Sequence, residues 1–250
     1  MDLKVVGEGA TTKVYRDGDK AIKLYPDGAS LEQIEAERKR QMLARQIGLC
    51  VPEVYEITRF ADGTIGLEMQ YIAGEPLMQA NMSLKEVRHA LLTLVELQRD
   101  IHQQSGDGFP HQSEAIKWKI DRNSYIEEET KAQLFDLLET LMGEANILCH
   151  GDFHPLNVLK EDATYWVIDW VDATSGNPKA DVCRTYLILK QFAPELADGY
   201  LTLFCQQAGF VQEEILIWLP IIAAARMTEG VDEVAGKMMM GIINEWQQSR

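Results

Sequence analysis

One short segment constrains the fold and the chemistry of this chain more than any other. It runs Leu148-Cys-His-Gly-Asp-Phe-His-Pro-Leu-Asn-Val-Leu159, and Asp169 follows in Val-Ile-Asp-Trp. An aspartate five residues before an asparagine, on an irregular loop between short strands, can present both side chains to one site. Such a carboxylate can orient and deprotonate a hydroxyl, and oxygen ligands suit Mg²⁺. The pattern indicates phosphoryl transfer, with Asp152 as catalytic base and Asn157 and Asp169 as magnesium ligands.

The rest of the chain predicts an α+β fold with two lobes. Asp17-Gly18-Asp19 separates two strand-like runs and is a hairpin turn sequence. Leu31 to Ile47 lacks Gly and Pro and predicts a helix. Gly74-Glu75-Pro76 ends this pattern, and helices dominate beyond it. We therefore predict a small antiparallel-sheet lobe over residues 1–73 and a larger, mainly helical lobe over residues 74–250.

The catalytic segment resembles that of the aminoglycoside phosphotransferase and choline kinase superfamily, whose members are relatives of protein kinases. The resemblance continues upstream in the same order. Lys23, in Ala-Ile-Lys, is similar to the strand lysine that contacts the phosphates of ATP. Glu37, on the following helix, is similar to its ion-pair partner, although Glu35 competes for that role. The resemblance implies a protein-kinase-like fold with ATP bound between its lobes.

The same resemblance implies where the nucleotide is held. Gly7 and Gly9 occupy the hairpin that covers the phosphates in these kinases. A Rossmann fold would need a helix directly after the glycines, and a Lys-Val-Tyr strand follows here instead. Gln70 and Ile72 lie in the segment similar to the hinge, where the carbonyl of Gln70 and the amide of Ile72 would pair with adenine. The implied cofactors are ATP and Mg²⁺.

Two further residues are implied to support the catalytic loop. His150 would brace the loop, and Asp181 would hold it from the next helix. A purely structural alternative makes the loop residues capping and turn residues, but it must also account for Asp169 at the matching distance and for the upstream lysine-glutamate pair. A zinc site on His150 and His154 is disfavoured, because Pro155 follows directly and no HExxH glutamate is present.

The sequence after Asp169 disfavours a protein kinase. Only residues 170–180 separate Asp169 from Asp181, which leaves no room for a long activation segment. Trp-Val follows Asp169 in place of Phe-Gly, and Gly151 stands where protein kinases usually carry arginine. With little platform for a peptide, a small acceptor is the better interpretation.

Charge indicates which acceptors are possible. The chain carries 24 Lys and Arg against 39 Asp and Glu, which disfavours nucleic acid as a partner. Residues 1–73 carry 10 basic and 12 acidic side chains, and residues 74–250 carry 14 and 27. This asymmetry fits simple solubility, or attraction of a cationic acceptor to the second lobe. Glu229, Asp232 and Glu233 are candidate acceptor ligands, and they fit a solvated helix start equally well.

No membrane partner is expected, because the longest strongly apolar run, Ile215 to Ala225, is shorter than the roughly 20 residues of a spanning helix. No secretory signal is visible, and the four cysteines form no CxxC pair, as expected for reduced thiols in a cytoplasmic protein.

We therefore expect an ATP-dependent phosphotransferase that moves the γ-phosphoryl group to a hydroxyl of a small cationic molecule, aminoglycoside-, choline- or thiamine-like. The alternative is a catalytically idle nucleotide-binding regulatory module of the same fold. A third possibility is a kinase-fold enzyme with another phosphoryl-linked reaction or a macromolecular acceptor. Nucleotide turnover separates the idle module from the enzymes, and the mass of the product separates the enzymes from each other.

Overall fold

The structure, a computed structural model, describes residues 4–8, 12–26 and 28–249. The chain forms two compact units. The first comprises Met1–Gln79 and Pro155–Asp172, and the second comprises Ala80–His154 and Ala173–Arg250. Residues 155–172 thus return to the first unit after the chain has entered the second. The division into lobes near residue 73 stays a prediction.

Strands dominate the early part of the chain and helices the later part. The strands among the described residues are β1 (Lys4–Glu8), β2 (Lys13–Asp17), β3 (Lys20–Tyr25), β4 (Val54–Arg59), β5 (Ile65–Gln70), β6 (Glu75–Pro76), β7 (Ile147–Cys149), β8 (Val158–Glu161), β9 (Thr164–Val167) and β10 (Thr174–Gly176). The helices are α1 (Leu31–Gln46), α2 (Leu84–Ile101), α3 (Gln112–Asp121), α4 (Glu128–Met142), α5 (Pro178–Phe192), α6 (Pro194–Ala208), α7 (Gln212–Leu216), α8 (Leu219–Arg226) and α9 (Glu233–Gln248).

The first unit contains a five-stranded antiparallel sheet in the order β1-β2-β3-β5-β4. The β2–β3 turn places Gly18 at a φ of 64°, a left-handed conformation that glycine adopts without steric cost. Strand β3 lies in the middle of the sheet and buries Ala21 and Ile22, and Leu67 of β5 is buried beside it. Lys23 is therefore anchored on the central strand.

A second, three-stranded sheet in the first unit has the order β6-β8-β9. Strand β6 follows the predicted break at Gly74, and Leu77 N donates to Val158 O at 2.8 Å. Gly74 lies against the backbone of β8: a Cβ atom there would be 2.8 Å from the carbonyl oxygen of Lys160. This close approach requires glycine.

The second unit packs its helices around α5, which contacts α6, α7 and α8. Every residue of α5 from Ala180 to Leu189 is buried, including Asp181 and Arg184. Charged residues inside such a helix need partners.

Among the described residues, no single helix is long and apolar enough to cross a membrane. The segments Pro194–Ala208 and Gln212–Arg226, which meet at a bend of 115°, pass that test only when taken together, by length and composition alone.

Gly74→Ala should destabilise the protein by about 1–3 kcal/mol, because the added methyl group must push β6 away from the backbone of β8. The matched control is Gly236→Ala in α9, where a Cβ meets nothing within 4 Å. That change should be neutral or stabilise by up to about 1 kcal/mol, since alanine favours helix. Urea denaturation measures both, and a Gly74→Ala protein as stable as wild type would contradict the close packing.

Candidate active site

Lys23 is the centre of a charged group in the first unit. Its Nζ donates to Glu37 Oε1 at 2.7 Å and to Asp169 Oδ1 at 3.0 Å. Burial alone would lower the pKa of Lys23, but the carboxylates of Asp169 and Glu37 outweigh it and raise the pKa to about 12. Tyr25 donates to the other oxygen of Glu37 at 2.8 Å. Glu35, the competing candidate, accepts from Arg38 at 3.3 Å instead. The ion-pair partner of Lys23 is therefore Glu37.

Asn157 and Asp169 lie at the same end of the β8–β9 hairpin. Val158 pairs with Val167, and Ile168 N donates to the backbone oxygen of Asn157 at 3.0 Å. Asp169 has a φ of 63°, a left-handed conformation that a residue other than glycine adopts at an energetic cost. An amide oxygen and a carboxylate are hard oxygen donors of the kind that Mg²⁺ binds, so Asn157 and Asp169 would be able to hold it. These residues fit a magnesium ion.

Asp152 lies in the second unit, in the loop after β7. Its Oδ1 is 3.4 Å from Arg184 Nη2, and its Oδ2 is 3.5 Å from His154 Nε2. Burial favours a higher pKa for Asp152, but the hydrogen bond from His154 and the charge of Arg184 outweigh it and hold the pKa well below its usual range. Asp152 is therefore a carboxylate at neutral pH, able to accept a hydrogen bond from a hydroxyl.

The backbone of this loop is held by two buried side chains. His150 is fully buried, and its Nδ1 accepts from Asp152 N at 3.2 Å. Asp181 Oδ1 accepts from Gly151 N at 2.7 Å. Gly151 has a φ of 81°, which favours glycine at that position. The two residues implied to support the loop thus bond to consecutive amides of it, and their effect on catalysis stays a prediction.

Asp181 is held by two residues that were not predicted from the sequence. Gln98 Nε2 and His102 Nε2 lie 3.0 and 2.9 Å from Asp181 Oδ2. Burial would raise the pKa of Asp181, but His102 and Gln98 help to lower it, so the group stays charged. Gln98 lies on the buried face of α2, and His102 is the residue that caps its C-terminal end, one turn later; this spacing of two polar residues is a recognisable signal. Cys149 lies beside His102 and Asp181, but burial raises the pKa of its thiol, which disfavours a metal site there.

The three predicted acceptor ligands have different surroundings. Glu229 accepts hydrogen bonds from the side chains of Lys119, Arg184 and Arg226. Asp232 caps the N-terminus of α9, where its side chain accepts from Ala235 N at 2.8 Å, and Glu233 pairs with Lys237 at 2.6 Å on the surface. The cations around Glu229 were not anticipated, although arginines within buried apolar helices are a signal that carboxylate partners lie nearby.

The predicted nucleotide residues are placed as follows. Gly7 lies in β1, opposite Val14 of β2, and Gly9 lies outside the described residues. Gln70 ends β5, and its N donates to Glu53 O at 2.8 Å. Ile72, two residues on, has a buried side chain. The adenine and phosphate contacts of these residues stay predictions.

The chain matches a known protein family. Residues 2–215 match the model of the phosphotransferase enzyme family, APH, and the chain belongs to that family. No curated protein matches the chain closely enough to be counted as a relative. The family membership confirms the resemblance stated from the catalytic segment and the class of enzyme, a phosphotransferase.

Solved structures confirm the fold. Apo aminoglycoside phosphotransferase APH(4)-Ia, as a thermostable mutant, is similar with a TM-score of 0.72 and 17% identity, covering 100% of this chain and 94% of that one. A ternary complex of APH(4)-Ia with AMP-PNP and hygromycin B gives 0.71 and 16%, covering 98% and 92%. Aminoglycoside-3'-phosphotransferase of type VIII gives 0.64 and 20%, covering 91% and 92%. The predicted α+β, protein-kinase-like fold class is correct.

The variant Glu229→Gln tests whether the neighbouring cations hold Glu229 ionised, through the dependence of folding stability on pH. Burial opposes ionisation of Glu229, but Arg184 and Lys119 outweigh it and lower the pKa to about 2. A carboxyl with a lowered folded-state pKa stabilises the fold above its unfolded pKa and loses that contribution as pH falls towards the folded value. Between about pH 5 and about pH 3, wild type should therefore lose roughly 2 kcal/mol more stability than Glu229→Gln.

Urea denaturation at both pH values measures this difference. The control is Glu139→Gln, because Glu139 pairs with Lys117 at 2.7 Å on the surface, and this variant should follow wild type. If Glu229→Gln and wild type lost equal stability on acidification, the carboxyl of Glu229 would not be held ionised by its neighbours.

Proposed function

We propose that the chain is an ATP-dependent phosphotransferase that moves the γ-phosphoryl group of ATP to a hydroxyl of a small molecule. The observation that carries this proposal is the Lys23 ammonium bonded to both Glu37 and Asp169, which joins residues 146 positions apart in the chain. A lysine that only decorated a surface strand would not be buried between two carboxylates. Membership of the phosphotransferase enzyme family supports the same conclusion.

The proposed mechanism assigns one task to each group. Asn157 and Asp169 would hold Mg²⁺, which neutralises charge on the phosphates, and Lys23 would contact the phosphates directly. Asp152 orients the acceptor hydroxyl and takes its proton. The hydroxyl oxygen forms the new bond to the γ-phosphorus, the bond from that phosphorus to the bridging oxygen breaks, and ADP leaves. Because the pKa of Asp152 is low, Asp152 is a weak base, and its main contribution is position.

The cationic acceptor stays a prediction. It is supported by the acidic excess in residues 74–250 and by the aminoglycoside phosphotransferases that share the fold, one of which is solved with hygromycin B. Glu229, one of its predicted ligands, is engaged by three cationic side chains. The idle regulatory module is disfavoured because Asp152 and both predicted magnesium ligands are retained along with the Lys23 ion pair.

Asp152→Asn should lower phosphoryl transfer by about 10²–10⁴-fold while leaving nucleotide affinity near the wild-type value, because the residue acts on the acceptor. Consumption of ATP across a panel of small hydroxyl compounds, with product mass measured, tests the proposal. The control is Asp136→Asn on the exposed face of α4. A wild-type protein that consumes no ATP with any acceptor, or single-turnover transfer by Asp152→Asn within a few-fold of wild type, would contradict it.

Asp169→Asn should weaken Mg·ATP binding by at least about tenfold, because it removes a charged magnesium ligand and one partner of Lys23. Asparagine tolerates the left-handed backbone at this position, so the change isolates charge from backbone strain. Asp162→Asn, at the other end of the same hairpin with a φ of 54°, is the matched control. Calorimetry with and without Mg²⁺ measures the effect. Equal Mg·ATP affinities in both variants would remove Asp169 from the metal site.

A further inference from the structure

The carboxylate of Glu37 is held at both of its oxygens. Its Oε1 accepts from the Lys23 ammonium at 2.7 Å, and its Oε2 accepts from the Tyr25 hydroxyl at 2.8 Å. Lys23 and Tyr25 lie two residues apart on β3, so their side chains point to the same face of the sheet. The Lys23 Nζ lies 5.9 Å from the centre of the Tyr25 ring. One strand thus supplies both the ammonium and a second group that bonds to its partner.

The hydroxyl of Tyr25 is a permanent donor in this group. The side chains of Lys23 and Glu37 are only 12% and 4% exposed. Burial and the charge of Glu37 raise the pKa of Tyr25 well above its usual value, so the hydroxyl stays protonated and donates to the carboxylate. Phenylalanine would pack the same ring at this position, and what distinguishes tyrosine from it is this one bond.

Helix α1, which carries Glu37, is held in place by bonds that do not involve the tyrosine. Gln41 Nε2 donates to Pro52 O at 3.0 Å, and Arg45 Nη1 donates to Val51 O at 2.6 Å. These bonds fix the helix, but they do not fix the last side-chain torsion angle of Glu37, which has a broad minimum in glutamate. Bonds at both carboxylate oxygens define the plane of the carboxylate. The tyrosine hydroxyl therefore acts on the orientation of Glu37 and not on the position of α1.

The ammonium of Lys23 depends on this orientation, because its other partner has a second proposed task. A lysine side chain has a flexible stem of four carbons, so its partners determine where Nζ lies. Asp169 Oδ1 accepts from Lys23 at 3.0 Å, but Asp169 is also a proposed magnesium ligand. A carboxylate that holds a metal ion has less negative charge left for lysine. Glu37 is then the partner that keeps Lys23 in place.

We infer that Tyr25 is a positioning residue of the proposed nucleotide site: its hydroxyl orients Glu37, which in turn directs the Lys23 ammonium towards the phosphates of ATP. This inference rests on the proposed phosphotransferase function. We call Tyr25, Glu37 and Lys23 the tyrosine clamp. In this role Tyr25 acts through Glu37, so loss of its hydroxyl should weaken nucleotide binding only while Glu37 is present.

The first experiment is a double-mutant cycle on Mg·ATP affinity, measured by calorimetry. Tyr25→Phe keeps the ring and should weaken binding by about tenfold, the lower end of the effect of one hydrogen bond to a charged group. In a Glu37→Gln protein, the same change should alter the affinity by less than about twofold, because no carboxylate is left to orient. Tyr165→Phe is the matched control: Tyr165 lies in the same unit, and the Lys160 ammonium lies at the same 5.9 Å from its ring.

The second experiment monitors the Lys23 ammonium without a nucleotide. Acetylation by acetic anhydride, followed at each lysine by mass spectrometry, should be several-fold faster at Lys23 in Tyr25→Phe and in Glu37→Gln than in wild type. Lys20 is the internal reference, since it lies on the same strand and pairs with Glu68 at 2.8 Å. General loosening of the sheet would raise both rates, whereas loss of the tyrosine clamp should raise the rate at Lys23 alone.

The two experiments separate the inference from the function on which it rests. A loss of Mg·ATP affinity that requires Glu37, together with a selective increase in the Lys23 rate, supports the inference. Wild-type affinity in Tyr25→Phe, an equal loss in both backgrounds, or an unchanged Lys23 rate in either variant would overturn it. A wild-type protein that binds no Mg·ATP, with the acetylation result as expected, contradicts the proposed function instead and leaves the tyrosine clamp standing.

Discussion

The Lys23 ammonium bonded to Glu37 and Asp169 is the interaction on which the first unit depends. It connects three parts of the unit that are distant in the chain: the central strand β3, helix α1 and Asp169, two residues after β9. A buried ammonium without partners would be costly, but two carboxylates keep it charged, with a pKa of about 12. The same bond fixes the carboxylate of Asp169, whose left-handed backbone needs such support.

The second unit repeats this principle with the signs reversed. Glu229 is a carboxylate held ionised by Arg184 and Lys119, as Lys23 is an ammonium held ionised by Asp169 and Glu37. Three cationic side chains thus meet at one carboxylate in the more acidic part of the sequence. Average composition describes how a chain interacts with solvent, whereas a binding site depends on the few charges that the fold brings within a few ångströms.

The candidate site residues that the sequence could offer are those that depend on spacing within a short segment, and their roles stay predictions. The loop from His150 to Asn157 and the later Asp169 are of this kind, and helix α1 ends within one residue of its predicted end. The cations around Glu229 could not be predicted from spacing, because Lys119 and Arg184 lie 110 and 45 positions from it and meet it only through helix packing. The acceptor ligands inferred from acidic composition stay predictions for the same reason: composition does not say which charges are already paired.

The catalytic loop explains why so many buried polar groups are kept. Asp152, with its lowered pKa, is a weak proton acceptor, so its proposed contribution depends on where it stands. The backbone amide of Asp152 donates to His150, and that of the preceding residue, Gly151, donates to Asp181. Asp181 is in turn kept charged by Gln98 and His102. Apolar residues of similar size could pack this region at less cost, but they would not direct two consecutive amides. The buried polar network is therefore best understood as less stabilising than an apolar core, with the position of the Asp152 carboxylate as what it provides.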